Sequence, residues 1–285
     1  MRKSWMLGVV VVLGLAGCQV APGAIEGPVS TAGGVVLPPV SGVFDYQLGG
    51  AYDLSPGVDV VVRDASDAPA RGAYNICYVN GFQTQPGEKD AWAGDREDLL
   101  LHDADGELVL DPDWPDEYIL DPSSASQRDG ILKVIGPVIT GCADDGYDAV
   151  EIDNLDTWIR FTDPADGVIS ESGAMALARA YVALAHQHGL AIGQKNAAEI
   201  AETGHADIGF DFAVTEECAA YDECSAYTSV YGKQVLQIEY TDNLPAPFTA
   251  VCERGDRAPL TILRDRDLAT ADNSDYAYEQ CPADG

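Results

Sequence analysis

Basic side chains are scarce in this 285-residue chain. Sixteen Lys and Arg stand against 47 Asp and Glu, for a formal net charge of −31. Nucleic-acid binders neutralise phosphates with clustered Lys and Arg, so that class is excluded. The acidic surplus suits a neutral or cationic ligand, and it also serves solubility. Histidine is scarce too: His102, His186, His188 and His205 are the four. None has metal-ligand spacing, and no Cys-x-x-Cys accompanies them, so no zinc site is expected. The Gly-x-Gly-x-x-Gly turn of dinucleotide-binding, doubly wound folds is absent as well.

The chain opens on Met1-Arg2-Lys3, followed by an apolar run from Trp5 to Leu15. That run is too short for a permanent membrane span and reads as an export signal. It ends in Leu15-Ala16-Gly17-Cys18, which resembles a bacterial lipobox, with cleavage before Cys18 and a diacylglycerol on its thiol. Residues 1–17 are therefore expected to be a lipoprotein signal peptide. Residues 18–41, rich in Pro, Gly, Ala, Val, Ser and Thr, read as a flexible tether. Residues 42–285 are left as one domain of ordinary barrel size. Six further cysteines, an even number in an exported chain, point to disulfides. Cys218–Cys224 is the first expected pair, with Cys77–Cys142 and Cys252–Cys281 as the remaining plausible ones.

Eight β-branched or apolar runs are candidate strands: 44–48, 58–64, 74–80, 147–154, 190–196, 210–216, 234–240 and 260–265. Helical stretches at 127–143, 172–188 and 197–203 fall between several of them. Ser170 is a candidate N-cap and Gly189 a candidate C′ residue. Strands alternating with helices imply a parallel sheet, and eight of them imply closure into a (β/α)8 barrel of the TIM type. One long connection, 81–126, follows the third strand and carries Trp92 and Trp114. Each either stacks on sugar rings or pins the loop. Asp103-x-Asp105-Gly106 resembles part of a calcium loop but lacks the later ligands, so a turn is expected.

The C-terminal ends of barrel strands carry the chemistry of this fold. Here they hold Asp45, Asp64, Tyr78, Glu151 and Asp153 with Asn154, Lys195 with Asn196, Glu216, Glu239 and Arg264. Strand alternation puts Glu151 and Asp153 on one face, with Glu151 a layer deeper. Their proximity should raise one pKa. Asp153 and Glu216 supply the two carboxylates that glycoside hydrolysis needs, one as acid and one as nucleophile or base. Asp153 is the candidate nucleophile or base and Glu216 the candidate acid, an order open to exchange. Asp45, Asp64, Tyr78, Asn154, Lys195, Glu239 and Arg264 are expected to line the substrate cleft. Acidic neighbours should keep Lys195 protonated, which disfavours a Schiff base. No cofactor is required, because carboxylates suffice.

Five ordered blocks also resemble glycoside hydrolase family 114. They are Glu151-Ile152-Asp153-Asn154-Leu155-Asp156, Gly193-Gln194-Lys195-Asn196, Phe210–Val214 with Glu216-Glu217-Cys218, Tyr221-x-Glu223-Cys224, and Ile238-Glu239-Tyr240. The resemblance implies an endo-α-1,4-polygalactosaminidase on a (β/α)8 barrel, with Asp153 and Glu216 as its catalytic pair. It also implies a galactosamine polymer as substrate, cationic once deacetylated. The chain departs from the family pattern at Tyr78–Gln85 and at Thr215. The expectation is a monomeric, exported hydrolase that meets the membrane only through its lipid. The competing readings are a non-catalytic polysaccharide-binding lipoprotein and a glycosidase for another α-glycan.

Overall fold

The structure, a computed structural model, describes residues 34–282. The expected leader, Cys18 and most of the tether lie outside the described residues. Eight parallel strands follow in chain order: β1 (Val43–Gln47), β2 (Val58–Asp64), β3 (Tyr74–Asn80), β4 (Ala149–Asp153), β5 (Ala191–Lys195), β6 (Phe212–Glu216), β7 (Val235–Tyr240) and β8 (Leu260–Arg264). Each pairs with its sequence neighbour, and β9 (Tyr278–Gln280) adds antiparallel to β8. This is a TIM-type barrel, as expected.

The helices are α1 (Lys89–Asp95), α2 (Ala125–Asp145), α3 (Thr157–Arg160), α4 (Glu171–Gln187), α5 (Ala201–Thr203), α6 (Cys224–Tyr231) and α7 (Phe248–Cys252). Among the described residues no helix is long and apolar enough to cross a membrane. α2 begins with a capping box, in which Ser124 and Gln127 satisfy each other's backbone N–H groups. α4 begins where Ser170 Oγ accepts from Gly173 N, and Gly189 ends it at φ +78°. The connections β1–β2 and β2–β3 contain no helix. They span nine or ten residues rich in Gly, Pro and Asp, too few and too broken for a covering helix.

Alternation sorts each strand into two faces. Phe44, Val60, Val62, Ile76, Ala149, Ala191, Phe212, Val214, Leu236, Ile238 and Ile262 fill the barrel interior. Cys77, Val79, Val150, Ile152, Ile192 and Ala213 face outward, under Ile131, Ile139 and Tyr181 of the helices. Gly193 belongs to the inward set, where a Cβ would stand 2.5 Å from the Phe212 ring. Burying such apolar side chains contributes about 1.5–3 kcal/mol each.

The seam between β1 and β8 is joined by side chains. Gln280 Nε2 donates to Gly42 O at 2.7 Å, and Phe44 N donates to Gln280 Oε1 at 3.1 Å. Tyr278 OH reaches Phe44 O at 2.8 Å, and Arg264 donates to Tyr46 O. The three disulfides are those expected: Cys77–Cys142, Cys218–Cys224 and Cys252–Cys281. They tie β3 to α2, close the loop after β6, and fasten β9 to α7.

Composition misplaced one boundary. Val35 and Leu37, assigned to the tether, are buried with Phe44 and Tyr74, and Tyr74 OH donates to Val36 O at 2.5 Å. Residues several positions before 42 therefore pack against the base of the barrel.

Candidate active site

Strand parity decides which side chains meet at the mouth. Tyr46, Tyr78, Asp153, Lys195, Glu216 and Tyr240 all end on the inward face, with Glu151 one layer below Asp153. Lys195 is 2% exposed and sits at the centre. Its Nζ lies 3.1 Å from Glu216 Oε2 and 3.6 Å from Asp153 Oδ2, and it donates to Tyr46 OH at 3.0 Å. Tyr46 OH in turn donates to Glu151 Oε1 at 2.8 Å.

Each candidate carboxylate is held from several directions. Asp153 accepts from Tyr78 OH and from Asn154 N, both at 2.8 Å. Glu216 accepts from Tyr240 OH at 2.5 Å and from Asn196 Nδ2 at 3.0 Å, while Glu216 N donates to Asn196 Oδ1 at 2.8 Å. The backbone turns sharply just past each strand, at Asn154 (φ 62°), Asn196 (φ 51°) and Glu217 (φ 59°). Asn tolerates this left-handed conformation. Glu217 is held in it by Arg266, whose Nη1 and Nη2 donate at 2.9 and 2.8 Å, and by Asn243 Nδ2 at 2.9 Å.

The electrostatics follow from burial and this lysine. Burial works to lower Lys195, but Asp153, Glu216 and Glu151 outweigh it and hold the ammonium well above its ordinary pKa. Burial works to raise Glu216, but Lys195, Tyr240 and Asn196 bring it below the usual value. Glu151, fully buried, is pushed up to about 7 by burial despite Lys195 and Tyr46. Asp153 adds to that rise, behind burial. Burial and neighbouring carboxylates raise Tyr46 and Tyr240, and burial with Asp153 raises Tyr78, so all three remain hydroxyl donors.

Above these groups opens a cleft of about 1100 Å³, lined by nine carboxylates and four cationic side chains. Three of the four cations are already engaged: Lys195 as above, Arg160 by Asp111 and Asp156, and Arg266 by Glu217 and Asp242. A second hollow of about 260 Å³ adjoins Glu216, with Asp156, Glu199, Glu217 and Glu223 but no basic residue in its lining. The space is shaped for a polar ligand and biased toward a positive one.

Of the sequence-predicted site residues, Asp64, Tyr78, Asp153, Asn154, Lys195 and Glu216 line this cleft. Asp45, Glu239 and Arg264 do not. Asp45 and Glu239 fall one position off the inward register. Asp45 accepts from Tyr46 N, Gln47 Nε2 and Tyr52 OH, and Glu239 accepts from Ala219 N and Gln237 Nε2 beneath the Cys218 loop. Arg264, fully buried, spends its guanidinium on Tyr46 O, Ala269 O and Ala277 O in the β1–β8 seam. The two tryptophans divide: Trp92 is buried and pins its loop, whereas Trp114 is 53% exposed and borders the cleft. Asp103 accepts from Asp105 N and Glu107 N, the carboxylate-stabilised turn expected there. Cys218, Cys224 and Glu239 lie close together, but the two sulfurs are spent in a disulfide.

Tyr240, Glu117, Arg160 and Arg266 were not singled out from sequence. Tyr240 was within reach, since it shares the parity of Leu236 and Ile238. The other three come from loops without a period, or from α3.

Comparison with solved structures places this geometry among known barrels. Ega3 of Aspergillus fumigatus, solved with galactosamine, superposes with a TM-score of 0.66 at 21% identity, covering 90% of this chain and all of that one. The glycoside hydrolase domain of PelA from Pseudomonas aeruginosa gives a TM-score of 0.53 at 14% identity, covering 80% of this chain and 96% of that one. No curated protein sequence matches the chain. The profile of glycoside-hydrolase family GH114 matches residues 26–284, nearly the whole sequence, and the chain is a member of that family and a glycoside hydrolase.

Proposed function

We propose that this protein is an exported endo-glycosidase for an α-1,4-linked galactosamine-type polysaccharide, with Asp153 and Glu216 as the working carboxylates. One observation carries the reading: β4 and β6 deliver these two acids to a single buried ammonium, at the floor of a cleft with surplus negative charge. A galactosamine unit, the ligand solved with Ega3, carries an ammonium when deacetylated and matches that charge.

The chemistry needs one proton donor for the glycosidic oxygen and one anion facing the anomeric carbon. As the acid gives up its proton, the C–O bond breaks and the leaving chain departs with its new hydroxyl. The partner carboxylate attacks the anomeric carbon directly or removes a proton from an attacking water. At rest Glu216 is an anion. That state suits attack or base catalysis at once, and suits the acid role only after substrate has drawn the lysine away. Both acids reach the same Nζ, so their nearest oxygens lie less than ~7 Å apart. Measured between whole carboxyl groups, that leaves room for the ~5–5.5 Å of retaining enzymes and for much of the ~6.5–9.5 Å range of inverting ones. Lys195 balances the negative charge that two such close carboxylates carry, and Tyr78, Tyr240 and Asn196 fix their orientation.

Cys18, with the leader and tether before the barrel, completes the proposal as a lipid attachment point. Three disulfides support an oxidising destination. The test is reducing-end release from partially deacetylated α-1,4-galactosamine polymer. Asp153→Asn and Glu216→Gln are each expected to lower the rate by about 10³-fold or more, with folding intact. Proton NMR of the first product reads the anomer: retention marks the double displacement, and inversion the single one. Full activity in either variant removes that residue from the pair.

A further inference from the structure

We propose that Glu117, with Trp114, forms a subsite that recognises the ammonium group of an amino-sugar unit beside the catalytic carboxylates; this rests on the glycosidase reading above. Both residues come from one turn of the 81–126 connection, closed where Glu117 N donates to Trp114 O at 2.9 Å. Both line the cleft.

Glu117 is 6% exposed, and no cation pairs with it among the described residues. Its hydrogen-bond donor is a neutral amide, Asn80 Nδ2, which reaches Oε2 at 2.9 Å. The other face of that amide fixes the position: Asn80 Oδ1 accepts from Asn154 Nδ2 at 2.9 Å, and Asn154 adjoins Asp153. Glu117 thus stands two hydrogen bonds from the residue that follows the candidate catalytic aspartate. A carboxylate that is nine-tenths buried, aimed into a ligand cleft and left without a cation is costly unless a cation arrives.

The groups facing it explain the vacancy in charge. Asp153 of β4 and Asp116 and Asp111 of its own loop are all acidic, and Asn80 of β3 is neutral. The nearby cations are committed elsewhere: Arg160 to Asp111 and Asp156, and Lys195 to the catalytic pair. Burial first, and then these carboxylates, push Glu117 up to about 7. A sugar ammonium supplies the missing charge, and the exposed indole of Trp114 supplies an apolar platform for the ring. An N-acetyl group offers no positive charge to the same carboxylate.

The experiment measures binding without turnover. In the Asp153→Asn protein, calorimetry compares oligosaccharides of galactosamine with those of N-acetylgalactosamine. Glu117→Gln keeps the shape and the Asn80 contact but removes the charge. It is expected to lower the galactosamine-to-N-acetylgalactosamine affinity ratio about ten-fold or more. Trp114→Ala is expected to weaken both ligands together and leave the ratio in place. An unchanged ratio in Glu117→Gln, equal weakening of both ligands by it, or no binding of galactosamine oligosaccharides by the Asp153→Asn protein overturns the proposal.

A second measurement needs no variant at Glu117. Carboxyl 13C NMR of the full chain should show this group titrating near 7 when free, and at lower pH with saturating galactosamine. An unmoved titration also overturns the proposal. Glu117-dependent binding without hydrolysis by the parent would leave the subsite standing and remove the endo-glycosidase reading.

Discussion

Lys195 decides the state of the site one residue at a time. Its ammonium lies between two carboxylates, and Tyr46 links it to a third, Glu151. Lys195→Met keeps most of the volume and removes the charge. Glu216 then loses the cation that depresses it, so its pKa rises. The limb of the pH–rate profile that Glu216 controls is expected to move to higher pH, with kcat/KM lowered about 10²-fold. A profile fixed in position would mean that another group controls the limb. Parity made much of this legible in the sequence: Asp153, Lys195 and Glu216 each end a strand on its inward register. Asp45 and Glu239 misled because a carboxylate at a strand end attracts notice wherever it points. Their neighbours Tyr46 and Tyr240, one position away, are the residues that enter the site.

Among the elements, α4 and the segment entering β6 meet through His186 and Asp211. His186 Nε2 lies 2.8 Å from Asp211 Oδ2, and the same oxygen accepts from Ile192 N at 2.9 Å. The hydrogen bond to Asp211 raises His186 above its ordinary pKa against the opposing effect of burial. A raised histidine stabilises the fold fully below the unfolded value, near ~6.5, and that contribution fades as pH rises through the folded pKa. His186→Gln is therefore expected to lower the melting temperature more at pH 5 than at pH 8, by calorimetry. Equal losses at both would assign the effect to packing. β9 shows what elements conceal from a sequence reader. Tyr278–Gln280 is too short to show alternation, yet its side chains bridge β1 and β8. The first two connections were equally opaque, since a bare loop and a covering helix differ there by the absence of a signal.

For the molecule as a whole, three covalent ties hold the barrel to its surroundings, and Cys252–Cys281 secures the seam. It closes a separation of 29 residues and keeps β9 beside β8. Replacing both cysteines with serine is expected to cost about 2–4 kcal/mol in denaturant unfolding. A loss well under ~1 kcal/mol would mean that β9 docks by its hydrogen bonds alone. The barrel was readable at this scale because eight runs of β-branched residues repeat with helices between several of them. The 81–126 connection was not, because its bridges join Gln83 to Ile119 and Leu110 to Tyr118 without any period in the sequence.

The packing of Val35 and Leu37 has a consequence for how the enzyme stands. These residues lie at the foot of β3, beside Tyr74, whereas the cleft opens at the opposite, C-terminal ends of the strands. The chain therefore joins the barrel at the pole farthest from the mouth. We propose that, with a lipid on Cys18, the tether would reach the barrel from its base and leave the acidic mouth at the pole away from the attachment.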